Sequence, residues 1–176
     1  KTTNFYWVLP YLIPRSDIGL SGIEVIQAVQ TEDMQIPLVK GKKSLARVYV
    51  DSGDFPTANV EVVLIRCFDY WWSPFPSCNS AMTKQHVAVQ NPDRTNFSHS
   101  ANFPLPESWV SFGDELQLTA IINPSYPNGV MDYVDPDTSN NYLAESFDLH
   151  TTHNLGVWVF PTAEDIDGDG SLDTRA

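Results

Sequence analysis

The residues best suited to chemistry lie late in the sequence. DIDGDGSLD at 165–173 sets Asp165, Asp167 and Asp169 at alternate positions, Gly170 at the sixth place, Ser171 next and Asp173 at the ninth. Alternate carboxylates converge on one oxygen-rich centre, and a glycine there permits the sharp turn that wraps a loop around a hard cation. Calcium is the cofactor this donor set fits, with Asp165, Asp167, Asp169, Ser171 and Asp173 as its ligands. The bidentate Glu usual at the twelfth place is missing, and Ala176 stands there. The opposing reading is an acidic tail that holds no ion, since runs of like charge are commonly solvated.

A second group surrounds the two cysteines. Cys67 and Cys78 enclose the bulky, proline-containing stretch FDYWWSPFPS. A disulfide closing that loop is the simplest account, and it implies an oxidising compartment. The alternative is a pair of buried thiols acting as small hydrophobes. Two thiolates with no second pair cannot complete a zinc shell. Within the loop, Tyr70, Trp71, Trp72 and Phe75 offer flat faces on which sugar rings can stack while polar edges stay wet. The competing role is structural, as a cap over the disulfide at one end of the fold. Trp109 and Trp158 read as core or interface residues.

Catalytic patterns are missing from the sequence. There is no H-E-x-x-H, no G-x-S-x-G and no G-x-x-x-x-G-K-S/T, the spacings that build metallopeptidase, hydrolase and phosphate sites. His150 and His153 in HTTH have no acidic third ligand placed by spacing and read as surface residues at a strand end. The triplet Asn96-Phe97-Ser98 fits the N-glycosylation pattern, too short a match to decide anything. The expectation is a protein that is not an enzyme.

Composition narrows the partners. Ten Lys and Arg against 22 Asp and Glu give a net charge of −12 over 176 residues, a field that repels phosphate and argues against nucleic acid. From Asp132 onward ten acids face one base, Arg175. No apolar run approaches the length of a membrane-spanning helix, so no membrane span is expected.

The elements that must position these groups read as strands. Apolar residues alternate, β-branched residues are dense, and 13 prolines leave no room for a long helix. IEVIQAV at 23–29 sets Ile23, Val25, Gln27 and Val29 on one face. SLARVYV at 44–50 sets Ala46, Val48 and Val50 opposite Leu45, Arg47 and Tyr49. VEVVLIRCF at 60–68 is apolar on both sides, as a covered central strand should be. ELQLTAII at 115–122 points Leu116, Leu118, Ala120 and Ile122 inward, and 144–149 and 155–160 follow. KQHVAVQ at 84–90 and the segment at 102–105 are weaker candidates. About seven short strands punctuated by turns give an all-β fold class: an immunoglobulin-like antiparallel β-sandwich over 22–150, with an N-terminal extension at 1–21 and an acidic C-terminal linker at 151–176.

Several stretches together carry a resemblance. They are the opening IEVIQAVQ, the GK ahead of the RVYV strand, the LPESW loop, the strand ending in NP and the acidic loop closing in NN. Across about 22–150 they resemble the immunoglobulin-like, CARDB-like modules of large secreted or surface prokaryotic proteins, often adjacent to metallopeptidase or adhesive domains. The D-x-D-x-D-G-x-x-D form resembles the calcium loops of thrombospondin type 3 and dockerin repeats. The resemblance implies a non-catalytic extracellular or cell-surface module that spaces or docks neighbouring domains of the same larger protein, followed by a calcium-binding linker. The alternative is an adhesion module that binds carbohydrate or a surface protein through the aromatic loop at 69–76. The insertion around 69–83 departs from a simple module of this kind.

Overall fold

A computed structural model describes residues 15–27, 37–68, 77–124, 135–152, 163–164 and 173–174. The chain is all-β, as its alternation predicts. Its main strands are β1 (Gly19–Ile26), β2 (Leu38–Val39), β3 (Leu45–Asp51), β4 (Thr57–Phe68), β5 (Ser77–Val89), β6 (Ser100–Pro104), β7 (Glu115–Ile122) and β8 (Tyr142–His150). The helical content described is slight: α1 (Glu107–Val110) and 3-10 turns at Phe97–His99 and Thr138–Asn141. No described helix is long and apolar enough to cross a membrane.

The strands pair into one mixed sheet, nearly closed into a barrel, in the order β1-β3-β5-β4-β7-β8-β2, with β6 on β3. Most pairs are antiparallel. The exceptions are β2 beside β8 and the single Asp51–Val89 pair that joins β3 to β5. Closure on the other side uses a side chain. The Gln27 carboxamide accepts from the Val39 N–H at 2.8 Å and donates to the Val39 carbonyl at 2.9 Å, which reproduces with one residue the two bonds a neighbouring strand would make.

Burial explains the register. Leu116, Leu118 and Ala120 on β7 are fully buried and Ile122 nearly so, with Val60, Val62 and Leu64 of β4 and Val48 and Val50 of β3. A one-residue slip would exchange these for the polar set. β4 is central as expected, flanked by β5 and β7. Pro106 starts the single turn of α1, which delivers Trp109 and Val110 to the core.

Several strands differ from their sequence limits: β4 begins at Thr57 rather than at 60, and β8 spans Tyr142–His150 rather than 144–149. The strand read at 23–29 runs from Gly19 to Ile26, with Ala28 and Val29 outside the described residues, and Ser16 and Ile18 ahead of it are buried. Its glycines conceal it: a Cβ on Gly19 would collide with the Asn140 side chain, and the strand bulges between Leu20 and Gly22. The weak candidate at 84–90 belongs to the 13-residue β5. That strand pairs with nearly all of β4 while Thr83, Lys84 and Gln85 face solvent, and such polarity hides it from an apolar pattern. The segment at 102–105 is the end of β6 and Leu105. The strand read at 155–160, with Trp158, lies outside the described residues.

Candidate functional site

Cys67 and Cys78 are bonded, directly opposite one another across β4 and β5. The bridge stands where the two strands leave for residues 69–76, so it fixes both ends of the aromatic loop. Tyr70, Trp71, Trp72 and Phe75 lie outside the described residues, as do Asp165, Asp167, Asp169, Ser171 and His153. Asp173 is placed by its backbone. It stands in β10 (Asp173–Thr174), antiparallel to β9 (Ala163–Glu164), with Asp173 opposite Glu164 and Thr174 opposite Ala163. His150 is exposed at the end of β8, where its carbonyl accepts from the Lys40 N–H. Among the described residues no group of three or more His, Cys, Asp or Glu side chains is arranged to hold a metal.

Two sites were not foreseen from sequence. The first lies on the face of β1 and β3 turned away from the core. Glu24 and Arg47 are direct cross-strand partners, and each is 8% exposed. The Tyr49 hydroxyl donates to Glu24 Oε2 at 2.7 Å, Arg94 Nη2 approaches Oε1 at 3.2 Å, and Arg47 Nη1 stands 3.8 Å from Oε2. Arg47 also donates to Ser100 Oγ and to the carbonyls of Arg94 and Asn96. Its guanidinium centre lies 5.1 Å from the Tyr49 ring centroid and 5.6 Å from that of Phe97, within cation–π range. Burial first, then the Glu24 hydrogen bond and charge, push the Tyr49 hydroxyl up to about 12, so it remains a donor and cannot serve as a base near neutral pH. Beside the cluster opens a cavity of about 470 Å³ lined by Gly22, Glu24, Tyr49, Asp51, Asn91 and Arg94. The available signal was opposite charge at the outward positions of two strands, which means little until their register is known.

The second site is at the disulfide end. Cys67, Phe68, Phe112, Asp114, Glu115 and Gln117 border an open cleft of about 350 Å³. Its frame is held from below by Arg66, which is 4% exposed. Arg66 donates to the carbonyls of Ser108 and Phe112, and its guanidinium lies 4.0 Å from the Phe68 centroid. Gly113, at φ 78°, makes the turn after Phe112, a conformation that suits glycine. Phe112 itself is 68% exposed. Lys40 Nζ meets Asp114 Oδ1 at 2.6 Å, and this hydrogen bond and charge hold the Asp114 carboxyl below the usual carboxylate range. Gln117 donates to Glu115 Oε2 at 3.2 Å.

Neither arrangement sets a nucleophile against a free base. The buried acid of the first site is engaged by a hydroxyl and two guanidinium groups, and the second offers hydrogen-bonding groups around an aromatic ring. Both tie loops to the sheet, and each borders an open cavity. Comparison with known proteins adds nothing to this: no family model, no curated protein and no solved structure matches the chain.

Proposed function

We propose that the chain is a non-catalytic module of the extracellular space or cell surface that spaces or docks neighbouring domains, with a calcium-binding linker after it. The observation that carries this reading is the β9–β10 pair. Setting Glu164 opposite Asp173 draws together the two ends of the segment Asp165–Leu172, the closure a loop needs to wrap its carboxylates around one ion. The donors are all hard oxygens, which fits calcium. Bound there, the ion would neutralise clustered charge and stiffen the linker.

The order of strands supports an immunoglobulin-like sandwich as the finer description of the fold, in keeping with the CARDB-like resemblance. β1, β3 and β6 form one group and β5, β4, β7, β8 and β2 another, linked by backbone pairing at Asp51–Val89. Early in the chain the polypeptide passes from the first group to the second, where β2 runs parallel to β8. The Cys67–Cys78 bond supports an oxidising location. Calorimetric titration with calcium, alongside a thermal melt, tests the reading on this chain and on Asp165→Ala/Asp167→Ala/Asp169→Ala. Saturable binding that the triple variant loses is expected. An absence of binding at millimolar calcium removes the linker site.

A second reading is adhesion to carbohydrate or a surface protein through Tyr70, Trp71, Trp72 and Phe75. It is favoured by the disulfide that holds both ends of their loop. Trp71→Ala/Trp72→Ala should then lose binding with the melting temperature nearly unchanged. A large drop in melting temperature would assign those rings to structure.

A further inference from the structure

We propose that the cleft bordered by Phe68 and Phe112 is a saccharide-binding subsite. Phe112 holds a large apolar ring 68% exposed, at a turn that Arg66 fixes through the Phe112 carbonyl and Gly113 permits through its positive φ. The ring is therefore presented by a preorganised frame, the condition under which a binding face loses little entropy on contact. Phe68 forms part of the same cleft, and Arg66 stacks on its ring at 4.0 Å.

The polar groups select the ligand class. Asp114 and Glu115 supply acceptors, with the Gln117 carboxamide beside them, all bordering the same cleft as the aromatic rings. Their charge is partly answered already, since Lys40 pairs with Asp114 and Gln117 donates to Glu115. A strongly cationic peptide would have to compete with Lys40. Hydroxyl groups both donate and accept, so they can join this network without displacing it. The ring suits them as well, because the C–H faces of a pyranose are apolar while its edges are wet. A neutral sugar seated on Phe112, with its hydroxyls toward Asp114 and Glu115, satisfies both halves of the cleft. The inference is independent of the calcium loop and uses none of the residues 69–76.

Calorimetry and ligand-observed NMR with chitohexaose, cellohexaose, xylohexaose and mannohexaose, in EDTA, test it on the whole chain. Saturable binding to at least one of them is expected. Phe112→Ala should weaken it about tenfold with an unchanged thermal melt, because the ring is exposed, and Glu115→Gln should weaken it several-fold. Should Phe112→Ala fold poorly, Glu115→Gln carries the test alone. No binding of any of the four at millimolar concentration overturns the proposal. So does binding that both variants retain while Trp71→Ala/Trp72→Ala abolishes it, a result that would favour the aromatic loop. Calcium titration is unaffected by either outcome, so failure here is distinguishable from failure of the linker reading.

Discussion

Replacing Glu24 by Leu tests whether the charged cluster on the outer face of β1 and β3 acts as one unit. The substitution strips the Tyr49 hydroxyl of its acceptor and leaves Arg47, 8% exposed, without its carboxylate. Removing one partner of a buried ion pair costs about 3–5 kcal/mol. The lower end applies here, since Arg47 keeps bonds to Ser100 Oγ and to the carbonyls of Arg94 and Asn96, and the Arg94 bond to Glu24 is partly exposed and weak. A loss of about 3 kcal/mol is expected, or roughly 10 °C in melting temperature for a body of this size. Arg47→Met removes two hydrogen bonds to the 90–99 loop and one to Ser100 at the start of β6, and should cost about as much. Glu24→Leu/Arg47→Met buries no unpaired charge, so its cost should fall short of the sum by at least about 1 kcal/mol. Urea unfolding of the native chain and the three variants closes the cycle. Additivity within about 0.5 kcal/mol, or a single-variant loss that small, would refute the cluster as a coupled unit.

Gly53 stands at φ 62°, and a Cβ there would press on the Asp17 carbonyl and Ser16 Oγ; Gly53→Ala should therefore cost more than about 2 kcal/mol, read by urea unfolding. Burial, opposed by hydrogen bonds from Asn141 and Asp137 and aided by the charge of Asp17, raises the Asp135 carboxyl above its ordinary value. A raised acid favours the fold at low pH and loses that contribution as pH rises through its folded value; Asp135→Asn should therefore stabilise the chain at pH 7 and converge with the native curve below the carboxylate range, measured by urea midpoints at both pH values. Reducing Cys67–Cys78, which closes a sequence separation of 11, should cost about 3 kcal/mol, seen as a lower melting temperature in dithiothreitol; an unchanged melt would remove the bridge from the stability of the sheet. Burial first, then the charges of Lys84 and His99, lower the pKa of His86; His86→Gln should diminish the stability lost as pH falls from 7.5 to 5.5, in thermal melts at the two pH values.

Much of the sheet was legible in the chain because strands with one buried face write a period of two into their sequence. β7 is the clearest case: Leu116, Leu118, Ala120 and Ile122 alternate without exception, and both its limits and its inward face follow directly. β4 announced its central place through apolar residues on both sides, and Cys67 and Cys78 announced their bond by flanking an insertion. β1 and β5 were legible only in part, the first because its glycines sit against the Asn140 side chain and at a bulge, the second because its solvent-facing polar run carries little apolar signal.

What the sequence determined by itself, then, is the class of fold, the inward positions of its clearest strands such as β7 and the presence of a donor-rich acidic segment, all of which depend on residue type and local spacing. The tertiary structure decided which strands meet and in what register. Only that register sets Glu24 opposite Arg47 and brings Tyr49 and Arg94 to the same carboxylate. It also brings Phe68, at the end of β4, to the distant segment that carries Phe112 and Gln117, around one cleft. Pairing between distant strands rests on backbone hydrogen bonds available to nearly every residue, so side-chain pattern constrains it weakly until packing selects one arrangement.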